Sequence, residues 1–190
     1  PYGSYQMLGH LELDFRYPDK LGSAEYTQYK RSLRLDDATA VTRFTRGGID
    51  FTREAFISAP DNVFVQRYSA TEEGVISFDA RLSRPERAQI RVLSESELEL
   101  FGELSNGRAS GRGTQFAVRL KVVANGGTVS SDGDAIQVRG ADSVLLFVTA
   151  ATDIRTFAGR NVADPRLAAA EDLEQARGKS FHTLRRAHME

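Results

Sequence analysis

The side chains that could carry out chemistry are few in kind. The chain has 26 Asp and Glu, three His and no Cys. Paired carboxylates can do acid–base work when one is held protonated and the other ionised. Three sets lie close enough in sequence to be considered: Asp36 with Asp37, the row Glu97, Glu99 and Glu103, and Asp132 with Asp134. Asp36 and Asp37 fall at a predicted bend. The three Glu fall on the polar face of an alternating strand, and Asp132 and Asp134 flank a turn glycine. Charged groups in such places are solvated. Each set is therefore read as surface or turn residues, and no catalytic residue is assigned.

His10, His182 and His188 do not form a ligand set. His182 and His188 are six apart, which does not stack them on one helical face, and no His-Glu-x-x-His pattern occurs. They are read as helix-surface residues, and no metal or cofactor is expected. The glycine-rich stretch from Gly102 to Gly113 leads into a strand rather than a helix, so it lacks the form of a phosphate cradle. It is read as a flexible or sugar-facing loop. Tyr2, Tyr5, Tyr17, Tyr26 and Tyr29 crowd the first thirty residues. Strand and loop packing is the main reading for them, and a sugar-binding patch the second.

The elements that would position these groups are mostly strands. Leu11, Leu13 and Phe15 alternate with Glu12 and Asp14, giving a strand with one buried face. A meander of three strands follows, rich in β-branched and aromatic residues. It turns at Thr45-Arg46-Gly47-Gly48-Ile49 and at Ala59-Pro60-Asp61-Asn62. Strands are predicted at Val75–Leu82, Leu98–Leu104 and Phe116–Ala124. Short strands at Thr128–Ser131 and Ala135–Arg139 lie beside hairpin turns at Asn125-Gly126-Gly127 and Asp132-Gly133. Val144–Val148 is apolar on both faces, as a strand covered twice would be. About ten strands at this spacing imply an all-β, antiparallel sandwich.

The pattern changes at Asp164-Pro165, a helix cap followed by a first-turn proline. Leu167, Ala170 and Leu173 recur at helical spacing as far as Arg177, and Gly178 is placed just past the helix end. Ser180 caps a second helix bearing Phe181, Leu184 and His188. The predicted division is a sandwich over 1–160, incomplete at its N-terminus, and a helical linker over 161–190. Phe181, Leu184 and the apolar face around Leu167 are expected to stay partly exposed, awaiting a partner.

Composition bounds the rest. Hydrophobic residues make up 41% and charged residues 27%, as in ordinary globular domains. The net charge of −1 offers nucleic acid no basic surface, and no apolar run approaches the ~20 residues that span a bilayer. Neither nucleic acid nor membrane is an expected partner. The missing cysteines leave the compartment open.

One family resemblance runs over nearly the whole chain. Tyr29-Lys-Arg-Ser-Leu-Arg-Leu-Asp-Asp-Ala-Thr-Ala-Val41, then Phe44-Thr-Arg-Gly-Gly-Ile-Asp-Phe-Thr-Arg-Glu-Ala-Phe56, resembles the N-terminal β-sandwich domain of glycoside hydrolase family 95, the α-L-fucosidases. Tyr5-Gln6-Met7-Leu8-Gly9 upstream is similar to a further stretch of that family. So are Asn125-Gly-Gly-Thr-Val129 and Gly140-Ala-Asp-Ser-Val144 downstream. His10 departs from the family pattern and takes no role. The resemblance implies a supersandwich (a large β-sandwich) that supports a helical catalytic barrel. It also implies a parent enzyme that removes terminal α-L-fucosyl groups from glycans with inversion, using acid and base residues in the barrel. A secreted or periplasmic location is implied as well. On this reading the 190 residues alone are inactive. A free-standing carbohydrate-binding or adhesion module is the alternative. A mutarotase-like enzyme is disfavoured because the histidines lie near the chain ends.

Overall fold

A computed structural model describes residues 6–107, 112–154 and 160–190. Twelve strands among these residues form two antiparallel sheets. The small sheet has the order β1 (His10–Arg16), β6 (Ile76–Ser83), β11 (Ala135–Ala141), β10 (Thr128–Asp132). The large sheet runs β2 (Tyr26–Arg34), β3 (Thr39–Arg46), β4 (Ile49–Ser58), β5 (Val63–Ala70), β12 (Ser143–Thr152), β9 (Gln115–Asn125), β8 (Glu97–Glu103), β7 (Ala88–Ser94). A one-turn helix, α1 (Asp19–Gly22), interrupts the loop after β1, and α2 (Pro165–Arg177) and α3 (Phe181–Met189) follow β12.

The expected antiparallel sandwich is present, with two strands more than the alternation predicts. These are β2 and β7, the two edges of the large sheet. β2 is wet on both faces and needs no alternation, whereas β7 carries a short one, Ala88 and Ile90 resting half-buried on the main core with Gln89 and Arg91 facing out. β2 is exposed along most of its length. The pairing of each is broken by a bulge, at Thr27–Lys30 in β2 and at Val92–Ser94 in β7.

The main core lies between the sheets. Phe78, Ala80, Ile136 and Val138 of the small sheet meet Leu98, Leu120, Val144 and Leu146 of the large one, all fully or almost fully buried. A second core lies on the far side of the large sheet, where Phe56, Val63, Val65 and Phe147 pack on Leu173, Ala176, Phe181 and Leu184. A third, of Ala117 and Ala151 with Ala168 and Ala169, extends it. β12 sits at the centre of the large sheet and is covered twice, as its doubly apolar sequence predicts.

This corrects the expectation for the C-terminal helices. Phe181 and Leu184 are buried against the chain's own sheet. The buried stripe of α2 is Pro165, Ala168, Ala169, Asp172, Leu173 and Ala176. It is mostly small residues, which let a helix lie close on a sheet, and small residues give a weak periodic signal. Leu167, assigned to the apolar face, is 58% exposed. Asp164 caps α2 as predicted, accepting from the N–H groups of Arg166 at 2.9 Å and Leu167 at 3.3 Å. Ser180 caps α3, accepting from Thr183 N–H at 3.1 Å. Gly178 ends α2 with φ −77°, so the left-handed geometry available to glycine is not used there.

A second correction concerns Asn125-Gly126-Gly127. β9 belongs to the large sheet and β10 to the small one, so this turn crosses between sheets and is no hairpin. The chain crosses at the same end after β5, through Gly74, and after β11, through Asp142. Asp142 ties the three crossings together. Its carboxylate accepts from Gly74 N–H at 2.8 Å, and its own N–H donates to the Asn125 carbonyl at 2.8 Å. Gly127 sits at φ +65°, and a Cβ there would lie 2.3 Å from the Arg139 carbonyl oxygen. Gly127→Ala combines a left-handed non-glycine backbone with that clash. It is expected to cost about 1–3 kcal/mol in a denaturant melt, with an unchanged m-value.

Candidate functional site

The side chains of greatest chemical interest cluster where the helices meet the large sheet. On its outer face β8 presents Glu97, Glu99, Phe101 and Glu103, and β9 presents Ala117, Arg119 and Lys121. The row expected to be solvated is not. Glu99 is 0% exposed because α2 lies over it. Arg166 in the first turn of α2 donates from Nε to Oε1 at 3.1 Å and from Nη2 to Oε2 at 2.6 Å, a bidentate bond. Arg119 lies 3.1 Å from Oε1 as well and donates to Glu97 at 3.0 Å. Lys121 approaches Glu97 to 3.8 Å. The hydrogen bond to Glu99 raises the Arg166 pKa, and the guanidinium lies over the Phe101 ring, 4.0 Å from its centroid. The signal in the sequence was the Arg and Lys on β9, since cross-strand neighbours of opposite charge pair.

Other carboxylates hold the helices in the same way. Asp37, in the turn between β2 and β3, accepts from Arg185 of α3 at 2.8 Å. Its main-chain carbonyl meets His188 Nε2 at 2.9 Å, and the His188 ring stacks on Phe56. Arg34 lies 2.8 Å from the same Asp37 oxygen without hydrogen-bond geometry. The hydrogen bond from Arg185, with lesser help from Thr39 and Arg34, holds the Asp37 carboxyl below its ordinary pKa. Asp61, in the turn between β4 and β5, accepts from Lys179 between the helices and from Ser58 Oγ at 2.6 Å. Burial pushes its pKa up, but those bonds outweigh burial and leave it lowered. Asp172 on α2 accepts from Arg160 Nη1 at both carboxylate oxygens, at 2.9 and 2.7 Å. Thr149 Oγ1 of β12 donates to the Ala169 carbonyl at 2.6 Å.

Asp79 is the buried acid of the small sheet. It accepts from Arg16 and Arg139, each at 2.5 Å. Burial is the largest single influence and acts upward, yet the two guanidinium groups together keep its pKa below the ordinary carboxylate value. Glu103 accepts from Gly113 N–H at 2.8 Å and from Gln115 at 3.4 Å, and the backbone bond, first among these, lowers its pKa. Residues 108–111 of the glycine-rich stretch lie outside the described residues. Gly113, beside them, is required by close approach: a Cβ there would lie 1.6 Å from the Leu104 carbonyl oxygen. Asp132 accepts from Gln137 at 3.1 Å, and Asp134 lies 3.8 Å from Arg81.

The tyrosines serve packing. Tyr17 and Tyr26 bracket the Arg46 guanidinium, with centroids 4.1 and 4.5 Å away, and Tyr26 accepts a hydrogen bond from Arg46. Burial, then the bond to Tyr26, pushes the Tyr17 pKa up to about 12. Tyr29 stands exposed on β2, and Tyr2 and Tyr5 lie outside the described residues. His10 is exposed on β1, and His182 is exposed on α3. Among the described residues no group of three or more His, Asp and Glu is placed to hold a metal. Nor, among the described residues, is any helix long and apolar enough to cross a membrane.

Among the described residues the four buried carboxylates, Asp61, Asp79, Glu99 and Asp172, are thus each paired with Lys or Arg. A neighbouring cation favours the ionised form, and it is the bonds to their basic partners that hold Asp61 and Asp79 below their ordinary pKa. What the arrangement does is fasten two helices to a sheet. It defines an antiparallel sandwich that carries its own helical pair as part of one folded unit.

Residues 1–156 match the family described as "Glycosyl hydrolase family 65, N-terminal domain", and the chain belongs to that family. It is 32% identical over 174 residues to "Alpha-L-fucosidase 2" of Arabidopsis thaliana, covering 80% of this chain and 20% of that protein. It is 27% identical over 203 residues to "Probable alpha-fucosidase A" of Aspergillus niger, covering 99% and 24%. The chain therefore spans about a quarter or less of these relatives. The structure of a "Putative kojibiose phosphorylase from human microbiome" shares the fold, with TM-score 0.65 and 13% identity, over 94% of this chain and 26% of that one. The resemblance to a glycoside hydrolase N-terminal domain is upheld at that level, although the matching family is 65 rather than 95.

Glu99→Ala leaves Arg119 and Arg166, the latter 39% exposed, without their partner. With Arg166 open to water, the cost is that of the lost charge-assisted hydrogen bonds, about 1.5–3 kcal/mol. The expected outcome is that loss, with faster amide exchange in 165–177 than in the β6–β11 ladder. Acid acts on the same contacts. Asp37, Asp61 and Asp79 have folded pKa values below their ordinary one near 3.8. Their stabilisation is complete above that value and is lost as pH falls through the lower folded values. Stability should be flat from about pH 5 upward on this account and fall steeply below pH 4, as read by unfolding melts across pH.

Proposed function

We propose that this chain is the non-catalytic N-terminal domain of a glycosidase, of the family 95 kind, that removes terminal α-L-fucosyl groups from glycans with inversion. Its role is to support a helical catalytic barrel carried elsewhere in the same polypeptide. The observation that carries the supporting role is the pairing, among the described residues, of each buried carboxylate with Lys or Arg. Inverting hydrolysis needs two carboxyl groups about 6.5–9.5 Å apart, one of them with a raised pKa. The carboxylates with shifted values are shifted down. The fucosyl specificity rests on the two fucosidase-named relatives. The burial of Phe181 and Leu184 on the chain's own sheet counts against their being the face that meets the barrel, so the supporting contact is assigned to other surface, of which Leu167 on α2 is 58% exposed.

The test is an assay of the full-length polypeptide and of the 190-residue domain with an aryl α-L-fucoside and a fucosylated oligosaccharide. The full-length protein is expected to release fucose, with the inverted anomer seen first by NMR, and the domain to release none. Consumption of kojibiose with inorganic phosphate by the full-length protein would overturn the fucosidase assignment. Turnover by the domain that vanishes in Glu99→Gln or Glu103→Gln would overturn the supporting role.

A further inference from the structure

The ion pairs under α2 border a cleft that they do not fill. Phe101, Glu103, Gln115, Asp164 and Arg166 line a cavity of about 330 Å3 between the end of β8 and the first turn of α2. A second hollow of about 320 Å3 lies on the β7 side, bounded by Arg87 and Gln89 and by the same Phe101, Gly102 and Glu103. The register sets Gln89 opposite Phe101 and Glu103 opposite Gln115. The two hollows therefore form one groove across the ends of β7, β8 and β9. Each is the size of the smaller cavities that hold ligands, about 300 Å3. The rim of the groove is close-packed: a Cβ on Gly102 would lie 1.9 Å from the Arg87 carbonyl oxygen.

The polar groups of the first hollow are each fixed at one end and open at the other. Asp164 Oδ1 caps α2, and Asp164 Oδ2 makes no hydrogen bond to another described residue. Arg166 commits Nε and Nη2 to the buried Glu99, which leaves Nη1. Gln115 Nε2 donates to Glu103 at 3.4 Å, and Gln115 Oε1 is unmatched among the described residues. Glu103 takes one bond at each carboxylate oxygen, from Gly113 N–H and from Gln115, and has room for another at each. The half-buried Phe101 ring supplies an apolar wall, steadied by the Arg166 guanidinium 4.0 Å from its centroid. Groups already anchored in this way lose little freedom when a ligand arrives.

Their chemistry narrows the ligand. The charge of Arg166 is matched by Glu99, and Asp164 and Glu103 add negative charge, so this hollow repels an anion such as phosphate. Among the described residues no acidic or histidine cluster is placed to hold a metal ion. A neutral molecule rich in hydroxyl groups fits. Its hydroxyls donate to the carboxylates and to the Gln115 amide oxygen, one accepts from Arg166 Nη1, and a C–H face rests on Phe101. We infer that this groove is a carbohydrate-binding site that takes two adjoining units of a neutral oligosaccharide. It holds glycan and does not cleave it. The fucosylated probe used below rests on the proposed function, whereas the site rests on this chain's own side chains.

The test is hydrogen exchange of the full-length polypeptide with and without a thio-linked fucosyl-lactose, which resists hydrolysis. With the sugar at about ten times its Kd, amides of β8 and of the first turn of α2 are expected to exchange roughly tenfold more slowly. Phe101→Ala should weaken the binding reported by this slowing about tenfold. Gln115→Ala, which leaves the core intact, should weaken it about threefold and serves if Phe101→Ala fails to fold. No slowing at these segments with either fucosyl-lactose or kojibiose would overturn the inference, as would slowing that both variants leave unchanged. Slowing by inorganic phosphate and by neither sugar would overturn it too. Slowing by kojibiose alone would uphold the groove and count against the fucosyl part of the proposed function. Fucose release by a protein that shows no slowing overturns only this inference.

Discussion

A sheet with apolar side chains on both faces must be covered on both, and this constraint organises the domain. β12 and its neighbours carry Val144 and Leu146 inward and Phe147 outward. The small sheet meets the first requirement and α2 with α3 the second. Burial of apolar area supplies the drive, at roughly 25 cal/mol per Å2. The ion pairs around the helices act differently. A half-exposed pair adds little net stability, because desolvation offsets attraction. Their geometry instead selects one seating of the helices, since a slide of one turn would leave Glu99 buried without Arg166.

Several of the motifs that carry the family resemblance are turn chemistry, set between the strand residues of β2, β3 and β4 that carry the rest. Asn125-Gly-Gly and Gly140-Ala-Asp are two of the three crossings that Asp142 gathers at one end of the sandwich, where residues 17–25 also cross from β1 to β2. Gly47 and Gly48, at φ +57° and +81°, close the β3–β4 hairpin. Such residues identify a fold because few others fit those backbone conformations. They say nothing about a reaction, and a fold shared at 13% identity with a protein named for a phosphorylase is a case in point.

Most strands were legible because alternation is a direct record of one-sided burial. Leu11, Leu13 and Phe15 in β1 and Phe116 to Val122 in β9 show it plainly. β2 was not legible, because it has no dry face to record, and β7 only faintly so, because its alternation of Ala88, Ile90 and Val92 with Gln89 and Arg91 is short and its inner side chains are at best half-buried. The helices were legible as helices from Asp164-Pro165 and Ser180, yet their partner was not. Ala168, Ala169 and Ala176 are too small to announce a buried face, so Leu167 drew the assignment away from it. The doubly apolar β12 held the missing clue, a second cover supplied within the chain. The burial of Glu99 was hidden for a related reason. A carboxylate on an alternating strand reads as solvent-facing until something is known to lie over it.

The position of that second cover in the chain shapes how the domain can fold. Arg185 pairs with Asp37 across 148 residues, and Arg166 with Glu99 across 67. The surface on which α2 and α3 sit does not exist until β4, β5, β12 and β9 are side by side. During synthesis these helices are the last part of the domain to emerge. Until they dock, Phe56, Val65 and Phe147 form a bare apolar sheet face, the kind of surface through which nascent chains aggregate. Pairings this distant also place the domain among slow folders, in the millisecond-to-second range. The time between completion of the sheet and arrival of the helices is therefore when the chain is most exposed to misassembly.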